Sequence, residues 1–211
     1  MQTTLEKPFV VKDDCRYYDF VKTCRYLSAI GAQKFGSSFF LRKQDAKTLY
    51  LLIIYFIRDH EACAKHGLDL NKGILLNGPV GCGKTSLMNL LKVIAYREFQ
   101  YVVKSSRDIA ASFNIEGYPT LLKYGKEHKA YCFDDLGIEQ NMKHFGNECN
   151  TIAEILLHRY DLLAYHGVIT HATTNLNADE LEKIYGNRVR SRLRAMFNLI
   201  TFPANTPDKR K

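Results

Sequence analysis

The chain has 211 residues, 46% of them apolar and 25% charged, and a net charge of +8. These values describe a globular protein of one domain with a short extension, not a disordered, collagenous or low-complexity chain. The longest apolar run, residues 49–57, is far short of the about twenty residues of a membrane span. The N-terminal stretch MQTTLEKPFVVKDD mixes both charges and has no apolar core, so no signal peptide and a cytoplasmic location are expected. The six cysteines, at 15, 24, 63, 82, 132 and 149, form no CxxC pair and no zinc spacing, so free thiols are expected.

The charge is uneven: residues 181–211 alone carry +6. A basic segment suits nucleic acid, nucleotide phosphate or an acidic protein face, and equally a solvated helix face.

In chain order, residues 1–43 are mixed in pattern, with a short helix predicted over 17–29. Residues 45–66 read as one densely apolar helix stopped by Gly67. A regular alternation then begins. Strands are predicted at 73–77, 101–103, 130–133, 167–170 and 198–202. Helices are predicted at 86–99, 106–113, 151–165, 178–185 and 189–196. This pattern predicts an α/β domain over 71–211 with a mainly parallel five-stranded sheet flanked by helices, preceded by a helical extension over 1–70.

The strongest motif is Gly78-Pro79-Val80-Gly81-Cys82-Gly83-Lys84-Thr85, a complete G-x-x-x-x-G-K-[ST] between a predicted strand and a predicted helix. Glycines let the backbone curl so that N–H groups form an anion nest. The following helix, opening near Ser86, adds positive potential beneath phosphates. Lys84 suits the β- and γ-phosphates and Thr85 suits Mg²⁺. The lysine inside the loop favours a triphosphate over a dinucleotide.

Asp134 and Asp135 end the third predicted strand. With a complete phosphate loop in the chain, they are read as catalytic rather than as a turn cap. Asp134 would hold Mg²⁺ through water, and Asp135 would orient or deprotonate the attacking water. Consecutive strand residues face opposite ways, so the chain must bend here, and Gly137 is available for that bend. Thr173-Thr174-Asn175 after the fourth strand is a candidate polar sensor.

Arg188, Arg190, Arg192 and Arg194 recur at every second position. The i,i+4 pairs 188/192 and 190/194 repel on an isolated helix, which suggests that one face meets an anion. A solvated basic helix, a nucleic-acid contact and an arginine acting in trans on a γ-phosphate are all compatible with the pattern.

The order GPVGCGKT, YCFDDLG, THATTNLN, YGNRVRSRL resembles the AAA+ ATPases of the DnaC/DnaI helicase-loader type over residues 70–211. The resemblance implies a P-loop NTPase fold without a full lid domain, ATP and Mg²⁺ as cofactors, and oligomer-dependent ATP hydrolysis. It implies Walker A at Lys84 and Thr85, Walker B at Asp134 and Asp135, and a sensor at Asn175. It also implies an arginine finger at Arg192 with Arg188 beside it, and a sensor 2 arginine at Arg210. The partners implied are a replicative helicase, single-stranded DNA and further copies of the chain in an oligomer or filament. IstB-like transposition helpers share this motif order. A P-loop small-molecule kinase and a DNA-binding adaptor that does not hydrolyse ATP are further alternatives.

Overall fold

The computed structural model describes residues 5–144 and 147–210. Strands β1 (Phe9–Lys12) and β2 (Cys15–Tyr18) form an antiparallel hairpin. Its turn is Asp13-Asp14, both in the left-handed region at φ +50° and +57°, a conformation that Asp tolerates and that matches hairpin twist. Asp19 then caps α1 (Phe20–Phe35) by accepting from the Lys22 amide at 2.7 Å.

The single helix expected over 45–66 is two, α2 (Ala46–Phe56) and α3 (His60–Lys65). Arg58 at φ +60° breaks the run, and Asp59 restarts it by accepting from the Ala62 amide at 2.9 Å. Apolar density does not register such a break, because the buried apolar run of α2 reaches Phe56 and Cys63 of α3 continues the same apolar cluster.

Strand β3 (Gly73–Asn77) leads through the phosphate loop into α4 (Lys84–Leu91). This helix is shorter than expected. Gln100 Nε2 donates to the carbonyls of Lys92 at 2.7 Å and Ala95 at 3.0 Å, satisfying groups that continued helix would have used. Strand β4 (Val102–Ser105) precedes α5 (Ser106–Glu116), whose cap is Ser105. Helix α6 (Tyr118–Lys126) was not expected, although Pro119 in its first turn is a recognised start signal.

Strand β5 (Tyr131–Leu136) is followed by a second hairpin, β6 (Met142–His144) and β7 (Asn147–Cys149). Helix α7 (Thr151–His166) ends at Gly167, φ +66°. Because Gly167 stops that helix, the next strand begins later than predicted: β8 is Thr170–Thr174. Helix α8 (Ala178–Met196) carries a full capping box between Asn177 and Glu180. The backbone leaves the helical region at Gly186 (φ +83°, ψ 163°), so α8 is two helical segments, as expected. Strand β9 (Phe197–Thr201) closes the sheet.

The five strands are all parallel, in the order β4-β5-β8-β3-β9. Alternation along each strand builds two cores. Ile74, Leu76 and Cys132 join α1–α4 on one face. Leu75, Tyr131 and Phe133 join α5–α8 on the other. Helices of residues 20–65 therefore share one apolar cluster with β3 and α4. Among the described residues, no helix is long and apolar enough to cross a membrane.

Candidate nucleotide-binding site

The phosphate loop leaves the carboxyl end of β3. Gly81 and Gly83 have φ of +77° and +96°, angles that side-chain-bearing residues rarely adopt. Gly83 immediately precedes α4, so the unbonded N–H groups of the helix's first turn open toward the loop. Lys84 is buried, and its ammonium donates to Gly78 O at 2.8 Å and Pro79 O at 3.0 Å. Cys82 is wholly buried beneath the loop, and that burial raises its thiol pKa. Its contribution to the loop surface is therefore backbone.

The sheet order sets the rest of the site. With β8 between β3 and β5, the tips of three strands meet beside the loop, where open parallel sheets bind ligands. Thr85 Oγ1 donates to Asp134 Oδ1 at 3.0 Å, and Thr173 Oγ1 donates to the same oxygen at 2.7 Å. Burial raises the pKa of Asp134 above the ordinary carboxylate value. The Thr173 and Thr85 hydrogen bonds oppose that rise, the nearby Asp135 charge adds to it, and Lys84 opposes it.

The expected bend is present, but it begins two residues before Gly137. Asp135 itself sits at φ +57°, Gly137 follows at φ +92°, and the register of β5 on β8 shifts between Phe133 and Leu136. Two adjacent acids thus serve one site. Asp134 lies behind Thr85, while Asp135 borders an open cavity of about 350 Å³. That cavity is lined by Val80, Gly81, Gly83, Lys84, Thr85, Ser86, Asp135, Ile138, Asn175 and Arg210. The loop is therefore not filled by its own side chains.

The structure brings Arg210 to this cavity. None of Arg188, Arg190, Arg192 and Arg194 lines it. Arg190 is neutralised within its own helix by Glu182 and by Asp179, the latter at 3.3 Å. The anion expected opposite that arginine face is thus supplied by the chain itself. Arg192 lies over the Tyr160 ring at 4.7 Å, and Arg188 and Arg194 are exposed.

No family model matches the sequence, and no curated protein does. Solved structures do. The DnaC helicase loader superposes with a TM-score of 0.52 at 21% identity, covering 77% of this chain and 92% of that one. DnaI gives 0.54 at 18% identity, covering 77% and 87%. The replication initiator DnaA, bound to AMPPCP and single-stranded DNA, gives 0.54 at 15% identity, covering 80% of this chain and 49% of that one. The chain has the fold of the DnaC/DnaI AAA+ proteins.

In this AAA+ fold, some residues that border or support the cavity carry no motif. The C-terminal segment folds back over the phosphate loop: the Lys209 amide donates to Gly81 O at 2.9 Å. The Asp208 carboxylate stands so close that a Cβ on Gly81 would meet its Oδ1 at 2.1 Å. Ile138 supplies an apolar wall. Apart from the resemblance at Arg210, only the density of charge at 208–210 hints at the segment, and charge does not report that it returns to a loop far earlier in sequence.

Proposed function

We propose that this protein is a Mg²⁺-dependent ATPase of the DnaC-like helicase-loader type, acting in the cytoplasm on single-stranded DNA as an oligomer or filament. The observation that carries the reading is the convergence of Lys84, Thr85, Asp135, Asn175 and Arg210 on one open cavity, with Asp134 held behind Thr85. The fold of the DnaC loader and of a DnaA bound to AMPPCP and single-stranded DNA supports it. So does the +6 charge of the last 31 residues, which suits a polyanion.

The residues fit the implied cofactors. Thr85 and Asp134 offer two hard oxygen donors within a hydrogen bond of each other, the donor type Mg²⁺ prefers. Bound there, the ion supplies charge neutralisation on the phosphate oxygens. Lys84 and the loop amides would hold the triphosphate. Asp135, on the cavity wall, would orient a water and accept its proton, and Asn175 would hydrogen-bond that water or the γ-phosphate. Arg192, remote from its own cavity, would reach the phosphate held by a neighbouring protomer, with Arg188 beside it. A replicative helicase is the proposed partner.

The test is ATP hydrolysis measured against protein concentration, with and without single-stranded DNA. The rate per protomer should rise with concentration and with DNA, and Lys84→Ala should bind no nucleotide. A wild-type chain that binds no ATP overturns the whole reading. A rate indifferent to both variables overturns its oligomeric and DNA-dependent parts. Recovery of a transposase in place of a replicative helicase would instead favour a transposition helper.

A further inference from the structure

Asp45 stands at the N-cap of α2, where an aspartate normally accepts from an amide of the first turn. Its side chain makes no such bond. It is only 2% exposed, and its Oδ2 accepts from Lys209 Nζ at 2.6 Å across 164 residues of sequence. Its Oδ1 is buried without a partner. Lys209 is mostly buried as well, and its ammonium lies 5.0 Å from the Phe202 ring. Buried ion pairs add little net stability, because desolvation offsets their attraction; what they fix is position.

The position fixed here is that of the strap over the phosphate loop. Beside the ion pair, the Lys209 amide bonds Gly81 O at 2.9 Å. On one side of Lys209, Asp208 presses against Gly81. On the other, Arg210 lines the cavity with Lys84, its Nε and Nη2 donating to Asp208 at 3.1 and 2.9 Å. Arg210 is exposed and belongs to no helix or strand, so its place depends on its neighbours in sequence.

Building on the nucleotide-site reading above, we infer that Asp45 is a positioning residue for nucleotide binding: through Lys209 it clamps the C-terminal strap onto the phosphate loop and so holds Arg210 where it meets the phosphates. The N-terminal helical segment thereby becomes part of the nucleotide site without touching the nucleotide. Anything that displaces the N-terminus of α2 would loosen ATP.

The experiment is titration of the full chain with a fluorescent methylanthraniloyl ATP analogue and Mg²⁺. Asp45→Asn combined with Lys209→Met removes both charges and leaves neither stranded. It should weaken binding about tenfold, the scale of one charge-assisted hydrogen bond, with an unchanged circular dichroism spectrum. Arg210→Ala should weaken binding similarly, and the triple variant should bind no more weakly than Arg210→Ala alone. A purely structural ion pair would not produce that non-additivity. If the Asp45→Asn pair does not fold, Asp45→Leu combined with Lys209→Met, which also leaves neither charge stranded, carries the same comparison. Wild-type affinity in the charge-removed variant or in Arg210→Ala, or full additivity in the triple, overturns the inference. Failure of the wild-type chain to bind ATP overturns the nucleotide-site reading instead.

Discussion

Thr173 Oγ1 donates to Asp134 Oδ1 at 2.7 Å while accepting the Asp135 amide at 2.8 Å. One hydroxyl on β8 therefore orients the first acid and anchors the left-handed turn at the second. Because β8 lies between β3 and β5, this hydroxyl ties the acidic strand to the strand next to the phosphate loop.

Thr173→Val keeps the shape and removes both bonds. It leaves the half-buried Asp135 amide without its partner, so the unfolding free energy should fall by about 1 kcal/mol. ATP hydrolysis should fall by about tenfold or more, since both acids lose their support. A urea titration and a steady-state phosphate-release assay check the two effects separately. A variant with wild-type turnover would show that Thr173 does not set the acids' geometry.

Asp135→Asn changes only the chemistry at the cavity wall. Asn tolerates φ near +57° as Asp does, so the turn should persist. Nucleotide affinity should stay within about threefold, and hydrolysis should drop by about 10²–10⁴-fold, as when a general base is removed. Single-turnover hydrolysis beside equilibrium binding distinguishes this from a folding defect.

Arg192→Ala should behave differently. Its guanidinium lies over Tyr160 and not at its own cavity, so nucleotide affinity should be unchanged and stability should fall by no more than about 1 kcal/mol. Hydrolysis should fall by about 10³-fold at protein concentrations where the wild type self-associates. Normal turnover by an oligomeric Arg192→Ala would remove the shared-site arrangement.

His171 predicts the acid response. Its Nδ1 accepts from the Ile74 amide at 3.1 Å, and its ring packs against Phe56 and Tyr101. Burial holds its pKa down to about 3, against an ordinary 6.5. As pH falls from 6.5 toward 3, the unfolded chain binds a proton there that the folded chain does not. Stability present above pH 6.5 is therefore lost across that window, at up to about 1.4 kcal/mol per pH unit. Urea midpoints measured over this range should fall, and they should fall less steeply in His171→Asn. Equal slopes would assign the acid loss to other groups.

Local pattern alone determined the phosphate loop, the acidic pair, the parallel α/β class and most helices. Each rests on interactions between near neighbours: a glycine-rich curl between strand and helix, apolar periodicity, a cap. The Asn177–Glu180 capping box and the kink at Gly186 are of that kind. The central strand was not. Its residues Thr170-His171-Ala172-Thr173-Thr174 are all buried, yet four of the five are polar, so hydropathy placed the strand three residues early. Their polar atoms are satisfied from other strands and helices: Arg159 donates to Thr170, Ile74 to His171, Thr173 donates to Asp134, and Thr174 donates to the Leu136 carbonyl. A polar side chain reads as surface until its partner is known, and the partner comes from distant sequence. The same holds for Asp45 and Lys209. Only the folded sheet, which sets the N-terminus of α2 beside the loop and returns the chain end to both, decides that these two charges meet.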